Sequence, residues 1–373
     1  MSNAPFRADQ VGSLLRPPQV YEAQDRHTRG ELSAGELKAI EDGAVERLVA
    51  RQEALGLRAI TDGELRRENW ALDFLSGLDG TRVVTREVPA TIRGGRTHTA
   101  RTMKVTTVTG KIGFTGHPLL AHFQFLKSRV RATAKMTIPS PTMLVSGSRS
   151  WRDLVDASVY PDVAELYEDL GLAYRKAIRA FYDAGCRYLQ LDDVNMAYLC
   201  DASMRDDMKA RGDDPNALLQ IWIKTLRSAM ADRPADLTIT THICRGNFRS
   251  TWFAQGGYEA IADALFNQLD YDGYFLEYDT ERAGSFEPLR FVPKGRKRIV
   301  LGLITTKSGE LEAASTVRQR IESATKYVNL DQLCISPQCG FASTREGNLI
   351  SEEQQWAKLS QIVDLAKEVW KDA

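Results

Sequence analysis

The chain has 373 residues, 43% of them hydrophobic and 26% charged, and its 49 basic and 49 acidic side chains balance to a formal net charge of zero. This is an ordinary globular composition, and it excludes the broad basic field of a nucleic-acid binder. No apolar run approaches the ~20 residues of a bilayer span and the N-terminus has no apolar leader core, so a cytoplasmic protein without a membrane partner is expected.

In chain order, short apolar runs suited to strands fall at 10–13, 57–62, 134–138, 188–192, 237–242, 274–277, 299–304 and 332–335. Between most of them lie helix-period stretches at 36–55, 163–184, 217–230 and 313–328. In the second of these, Leu166, Leu170, Ala173, Ala177 and Phe181 share one face. Strands alternating with helices predict a parallel sheet, and closure into a single (β/α)8 TIM-type barrel over residues 1–373 is the economical arrangement. No Gly-rich phosphate loop follows the first strand, which opposes a dinucleotide fold.

The segment 81–131 breaks the pattern. It is rich in Thr, Arg, Val and Gly and reads as a β-rich insertion between the second and third strands, with a turn signal at Gly94-Gly95. Such a hairpin could cover the active site, contact a second subunit in a homo-oligomer, or be a surface insertion with no direct role. The basic run Lys294, Arg296, Lys297 and Arg298 reads as a solvated turn.

Five cysteines (Cys186, Cys200, Cys244, Cys334 and Cys339) are too few and scattered for a secreted disulfide framework. Among the histidines, only His242 lies close to a cysteine, in Thr241-His242-Ile243-Cys244 at the end of an apolar run. Residues i and i+2 of a strand face the same way, so the two donors can converge. Cys339, in Ser336-Pro337-Gln338-Cys339-Gly340-Phe341, follows the last strand in a Pro- and Gly-marked turn. Glu277 ends Tyr274-Phe275-Leu276, where a charge is costly to bury unless paired or metal-bound. Thiolate, imidazole and carboxylate can together complete a zinc tetrahedron, and ligands drawn from three strand ends suit a catalytic ion better than a zinc finger. His-x-Cys alone also fits a core cysteine beside a satisfied histidine.

Glu64, Asp192 and Asp193 lie at other predicted strand ends, where acids suit a cationic group or acid–base work. The same residues allow Asp193 to cap a helix and Glu64 to pair with Arg66 or Arg67. Arg245 could bind an anionic substrate tail or pair with Glu277 or Asp279, and Trp70 and Tyr278 could stack on a planar donor or simply pack. Cys186 and Cys334 read as core thiols, and the spacing of His117 and His122 does not align them on a helix face.

With these motifs in order, the chain resembles the cobalamin-independent methionine synthases, specifically their C-terminal catalytic barrel and the short single-barrel members. The resemblance runs from Val11-Gly12-Ser13 and Thr61-Asp62-Gly63-Glu64 through Leu189-Gln190-Leu191-Asp192-Asp193, and on through Thr241-His242-Ile243-Cys244 and Phe275-Leu276-Glu277 to Ser336-Pro337-Gln338-Cys339-Gly340. It implies a TIM-type barrel and a zinc ion held by His242, Cys244, Glu277 and Cys339. It further implies a zinc-dependent S-methyltransferase of methionine biosynthesis, in which the substrate thiol joins the zinc, either displacing the weaker Glu277 ligand or adding beside it. Ser13 would contact the carboxylate of a homocysteine-like acceptor, and Glu64 and Asp192 would face its ammonium group and serve as the catalytic acids.

The chain departs from the long members of that family at two points. The N-terminal barrel that helps them hold polyglutamylated folate has no counterpart here. The stretch after the seventh strand, Leu303-Ile304-Thr305-Thr306-Lys307, lacks the histidine associated with proton transfer to the folate. Both departures count against a methylfolate as the donor and leave a corrinoid protein, a sulfonium compound or another activated alkyl donor open. The alternative activity is alkylation of another thiol, as by epoxyalkane:coenzyme M transferase. A sulfonate acceptor would favour Arg contacts over Glu64 and Asp192, so the two acids favour an amino-acid thiol. A porphyrinogen-decarboxylating barrel uses no zinc and is opposed by the full ligand set, and a non-enzymatic zinc-stabilised binding protein would need a site closed to thiols.

Overall fold

The computed structural model describes residues 4–88, 91–93, 96–98 and 101–373. Strand β1 (Ala59–Ile60) is followed by an antiparallel hairpin of β2 (Asp79–Val88) and β3 (Arg101–Gly113), and then by β4 (Thr133–Ala134), which pairs in parallel with β1. Past Lys135, β5 (Met136–Pro139) begins a six-stranded parallel sheet. The sheet continues in chain order through β6 (Tyr188–Asp193), β7 (Thr238–Ile243), β8 (Gly273–Glu277), β9 (Arg298–Ile304) and β10 (Leu333–Pro337).

The segment ahead of β1 closes the ring. On the β10 side, Asp9 N–H donates to Ile335 O at 3.0 Å and Ile335 N–H to Arg7 O at 2.8 Å. On the β1 side, Leu14 N–H donates to Gly63 O at 3.0 Å and the Thr61 hydroxyl to Gly12 O at 2.7 Å. The architecture is the expected (β/α)8 barrel with a β-rich insertion between the second and third strand positions.

The expected first strand, 10–13, is irregular, with one bridge from Ala8 to Ile335. Side chains take over its pairing, with Gln10 Nε2 donating to Gln52 Oε1 at 2.5 Å. The expected helices form at Ala34–Leu55, Val163–Asp183, Pro215–Met230 and Ala314–Ala324. Ser33 and Glu36 make a capping box at the start of the first. The amphipathic face of the second is buried as its period requires.

Only part of 81–131 is β-structure. Residues Pro118–Arg129 form a helix, with Pro118 in its first turn and His117 Nδ1 accepting from Leu119 N–H at 3.1 Å. The expected turn at Gly94-Gly95 lies outside the described residues. Lys297 is also not simply solvated, since its ammonium donates to Phe266 O at 2.8 Å and Leu269 O at 2.6 Å. Among the described residues no helix is long and apolar enough to cross a membrane.

Phe275, Val300 and Cys334 are register partners across β8, β9 and β10 and cluster with Val11. Glu277, two residues beyond Phe275, faces the same way. The side chains at the strands' C-terminal ends therefore sit directly above this apolar layer. At the layer's lower edge, the fully buried Lys135 ammonium pairs with Asp9 Oδ1 at 3.1 Å and lies 4.1 Å from the centroid of the Phe275 ring.

Candidate metal centre

His242 is the penultimate residue of β7, and Cys244 extends that strand, its N–H donating to Asp193 O at 2.7 Å. Cys339 follows β10 in a loop held by Gln338 N–H donating to Ile304 O (2.8 Å) and Phe341 N–H donating to Ser13 O (2.9 Å). Glu277 ends β8. All four side chains are buried, and one donor atom from each lies within 4.8 Å of every other.

Cys244 Sγ and Cys339 Sγ are 3.5 Å apart, and His242 Nε2 is 3.9 Å from Glu277 Oε1. Two sulfurs on a tetrahedral zinc would stand about 3.8 Å apart, so the spacing fits. The donor chemistry fits as well. The Cys339 thiol lowers the Cys244 pKa by hydrogen bonding, and Gly246 N–H also donates to Cys244 Sγ at 3.3 Å. Burial and the Cys244 charge push Cys339 well up. Burial alone would lower the His242 pKa, but Asp192, Cys244 and Glu277 outweigh it and hold the imidazole at about 9. Burial would raise Glu277, yet Arg282, Lys307 and His242 keep it below the usual carboxylate range. Thiolate and carboxylate packed beside an imidazole form a site whose charge a divalent cation would neutralise.

His242, Cys244 and Cys339 open onto a cavity of about 670 Å³, which Ser13, Glu64 and Asp192 also line. Asp192 Oδ1 accepts from Gln190 Nε2 at 2.7 Å and lies 3.7 Å from His242 Nδ1, where it can orient the ring. Ser13 Oγ accepts from Ala342 N–H at 3.3 Å. Glu64 adopts φ +59°, a left-handed conformation that is strained for a residue with a side chain. Its Oε1 accepts from the Thr137 hydroxyl at 2.8 Å and lies 3.6 Å from Arg67 Nη1. Its Oε2 is buried without a hydrogen-bond partner among the described residues. Burial, opposed by Arg67 and reinforced by Asp192, pushes the Glu64 carboxyl up to about 7. Gly12 makes the close approach possible, because a Cβ there would meet Thr137 Cγ2 at 2.6 Å.

Other candidates separate. Asp193 serves structure, accepting from the Thr142 hydroxyl at 2.6 Å and from Met196 N–H at 2.8 Å in the following helix. The ion-pair partner of Glu64 is Arg67, while Arg66 pairs with Asp42 at 2.6 Å. Trp70 lines the cavity. Tyr278 is buried against Tyr258, ring centroids 5.3 Å apart, and does not. The Arg245 guanidinium is fully buried, 4.7 Å from the centroid of the Tyr258 ring, and only its backbone N–H reaches Glu277 Oε1, at 2.8 Å. The acid-pairing role falls to Arg282, which the sequence reading passed over, with Nη2 at 2.8 Å from both Glu277 Oε2 and Asp279 Oδ1. The hairpin contributes Met103, Lys104, Val105 and Thr106 to the lining of the cavity.

Residues 6–368 match the model of the cobalamin-independent synthase catalytic domain. The chain is 52% identical over 370 residues to the uncharacterized protein YxjH of Bacillus subtilis strain 168, an alignment spanning 99% of this chain and 96% of that one. It is 22% identical over 364 residues to the 5-methyltetrahydropteroyltriglutamate–homocysteine methyltransferase of Bacillus velezensis, covering 97% of this chain but 42% of that longer protein. Among solved structures, a candidate vitamin-B12-independent methionine synthase from Listeria monocytogenes superposes with a TM-score of 0.78 at 40% identity, over 99% of both chains. The B12-independent methionine synthase of a Shewanella species, in complex with selenomethionine, shares the fold with a TM-score of 0.72 at 19% identity over 98% of both chains.

Proposed function

The chain belongs to the family of cobalamin-independent synthase catalytic domains, and on that footing we propose that it is a zinc-dependent methyltransferase whose acceptor is an amino-acid thiol of the homocysteine type. The observation that carries this reading is a single cavity lined both by the metal donors His242, Cys244 and Cys339 and by the polar residues Ser13, Glu64 and Asp192. Zinc held by His242, Cys244, Glu277 and Cys339 would supply Lewis acidity that keeps an acceptor sulfur deprotonated at neutral pH.

The chain's own residues bind and orient. The free Glu64 Oε2 and the neighbouring Asp192 suit an ammonium group. Ser13 Oγ already accepts from Ala342 N–H, which leaves its hydroxyl proton to donate to a carboxylate. Leu72, Leu75, Val105, Leu144 and Leu154 give the cavity an apolar wall that excludes water from the reacting atoms. The acceptor's sulfur lone pair forms the new bond to the methyl carbon. The bond from that carbon to the donor breaks, and the donor's leaving atom keeps the electron pair and takes up a proton.

The test is methionine formation by purified protein given homocysteine with, in parallel, 5-methyltetrahydropteroyltriglutamate, the donor named for the longer relatives, or a methylsulfonium donor. Methionine should appear, vanish on chelation and return with added zinc. Coenzyme M, which lacks an ammonium group, should go unmethylated. Methylation of coenzyme M but not homocysteine would overturn the acceptor assignment.

A further inference from the structure

The Glu277 carboxylate is fully buried and both its oxygens are engaged by the protein. Oε1 accepts from the backbone N–H of Arg245, and Oε2 accepts from Arg282 Nη2, each at 2.8 Å. Arg282 itself is 5% exposed. The same Nη2 reaches Asp279 Oδ1 at 2.8 Å, and the guanidinium carbon lies 4.7 Å from the centroid of the Trp252 ring. A carboxylate in such a place faces two constraints. A donor already accepting from a guanidinium has less electron density to give a metal, so it is the weakest of the four. A buried carboxylate that let go of a metal would also be an uncompensated charge unless a cation stood beside it.

We propose that Arg282 is a positioning residue that makes Glu277 the exchangeable member of the donor set. Its guanidinium keeps one carboxylate oxygen anchored and the charge paired whether or not the other oxygen serves a metal, so an incoming thiol can take that position without stranding an anion. Asp279 shares the same Nη2, and the guanidinium lies against the Trp252 ring, so the group is held beside Glu277. This rests on the reading of His242, Cys244, Glu277 and Cys339 as metal ligands.

The experiment uses cobalt(II) as probe on full-length protein, with metal affinity measured by chelator competition and homocysteine affinity by the sulfur-to-cobalt charge-transfer band. Arg282→Met should bind cobalt at least as tightly as the wild type, because Glu277, left with the Lys307 and His242 charges, then leans more on the metal for its counter-charge. It should bind homocysteine at least tenfold more weakly. Arg282→Lys, which keeps the charge but loses the planar fork, should fall between the two, and carries the comparison if Arg282→Met does not fold. In a Glu277→Gln background, Arg282→Met should change homocysteine affinity less than twofold. General damage to the site would weaken both affinities together. That result, or two unchanged affinities, would overturn the role given to Arg282. Failure of the wild type to bind cobalt would instead overturn the metal reading itself, and this inference with it.

Discussion

Cys244 Sγ and Cys339 Sγ lie 3.5 Å apart although 95 residues separate them in the chain. Cys244 continues β7 and Cys339 follows β10, so β8 and β9 intervene, and the contact exists only because the ring closes above its apolar layer. Replacing Cys339 with Ser should therefore leave the barrel intact by circular dichroism. It should lower zinc affinity by roughly two orders of magnitude or more, since a thiolate is exchanged for a weak neutral donor. Methyl transfer should fall below detection, and full activity without bound metal would refute the mechanism.

Glu64 supplies a pH signature. Its pKa rises from an ordinary 4.5 to about 7 through burial, so the protonated form is the one folding favours. Its contribution to stability is complete below the unfolded value and is lost as pH rises through 7. Glu64→Gln should thus change stability little near pH 4 but raise it by up to about 3 kcal/mol above pH 8, measured by urea unfolding. Ammonium binding needs the charged form, so the wild-type KM for homocysteine should fall as pH rises through neutrality. In Glu64→Gln it should be high and flat.

Gly340 leaves no room for a side chain. A Cβ there would meet Ser13 Oγ at 1.9 Å. Gly340→Ala should push Ser13 and the Cys339 loop apart and raise the KM for the acceptor about tenfold. Chelator competition checks the loop directly, and metal affinity should weaken in parallel. Kinetics identical to the wild type would show that this loop yields more easily than its packing suggests.

The buried Lys135–Asp9 pair should be the costliest place to remove a charge in the lower barrel. Both side chains are fully buried at 3.1 Å, and the Tyr188 hydroxyl donates to Asp9 Oδ2 at 2.8 Å. Lys135→Met would strand the carboxylate and should cost about 3–5 kcal/mol in urea unfolding. A double replacement of Lys135 and Asp9 by apolar residues should recover much of that loss.

The strand ends were legible because apolar runs stop abruptly at chemically distinctive residues, as at Thr241-His242-Ile243-Cys244, and a strand's alternation then sets which donors converge. The four donors and Glu64 and Asp192 could be picked out that way, whereas Ser13 was reached only through the family resemblance. Which arginine meets Glu277 could not. Arg245 is adjacent to Cys244, but its guanidinium packs on the Tyr258 ring, while Arg282 returns to Glu277 from a short turn after β8. That choice is made by loop conformation, which leaves no periodic trace. The start of the barrel was misread as a regular strand because Gln10 and Thr61 side chains do the work of a backbone ladder. The helix at Pro118–Arg129 was masked by the Thr- and Val-rich hairpin before it, although Pro118 marks its first turn.

The central claim is that one ion is held at the barrel's mouth and accepts an amino-acid thiol. Zinc K-edge absorption of purified protein, with and without homocysteine, tests it most directly. The account predicts two sulfur and two nitrogen or oxygen neighbours at rest, and three sulfurs with one nitrogen or oxygen after homocysteine is added. Zinc with an unchanged shell would contradict the assigned acceptor, and a protein that binds no zinc would contradict the claim itself.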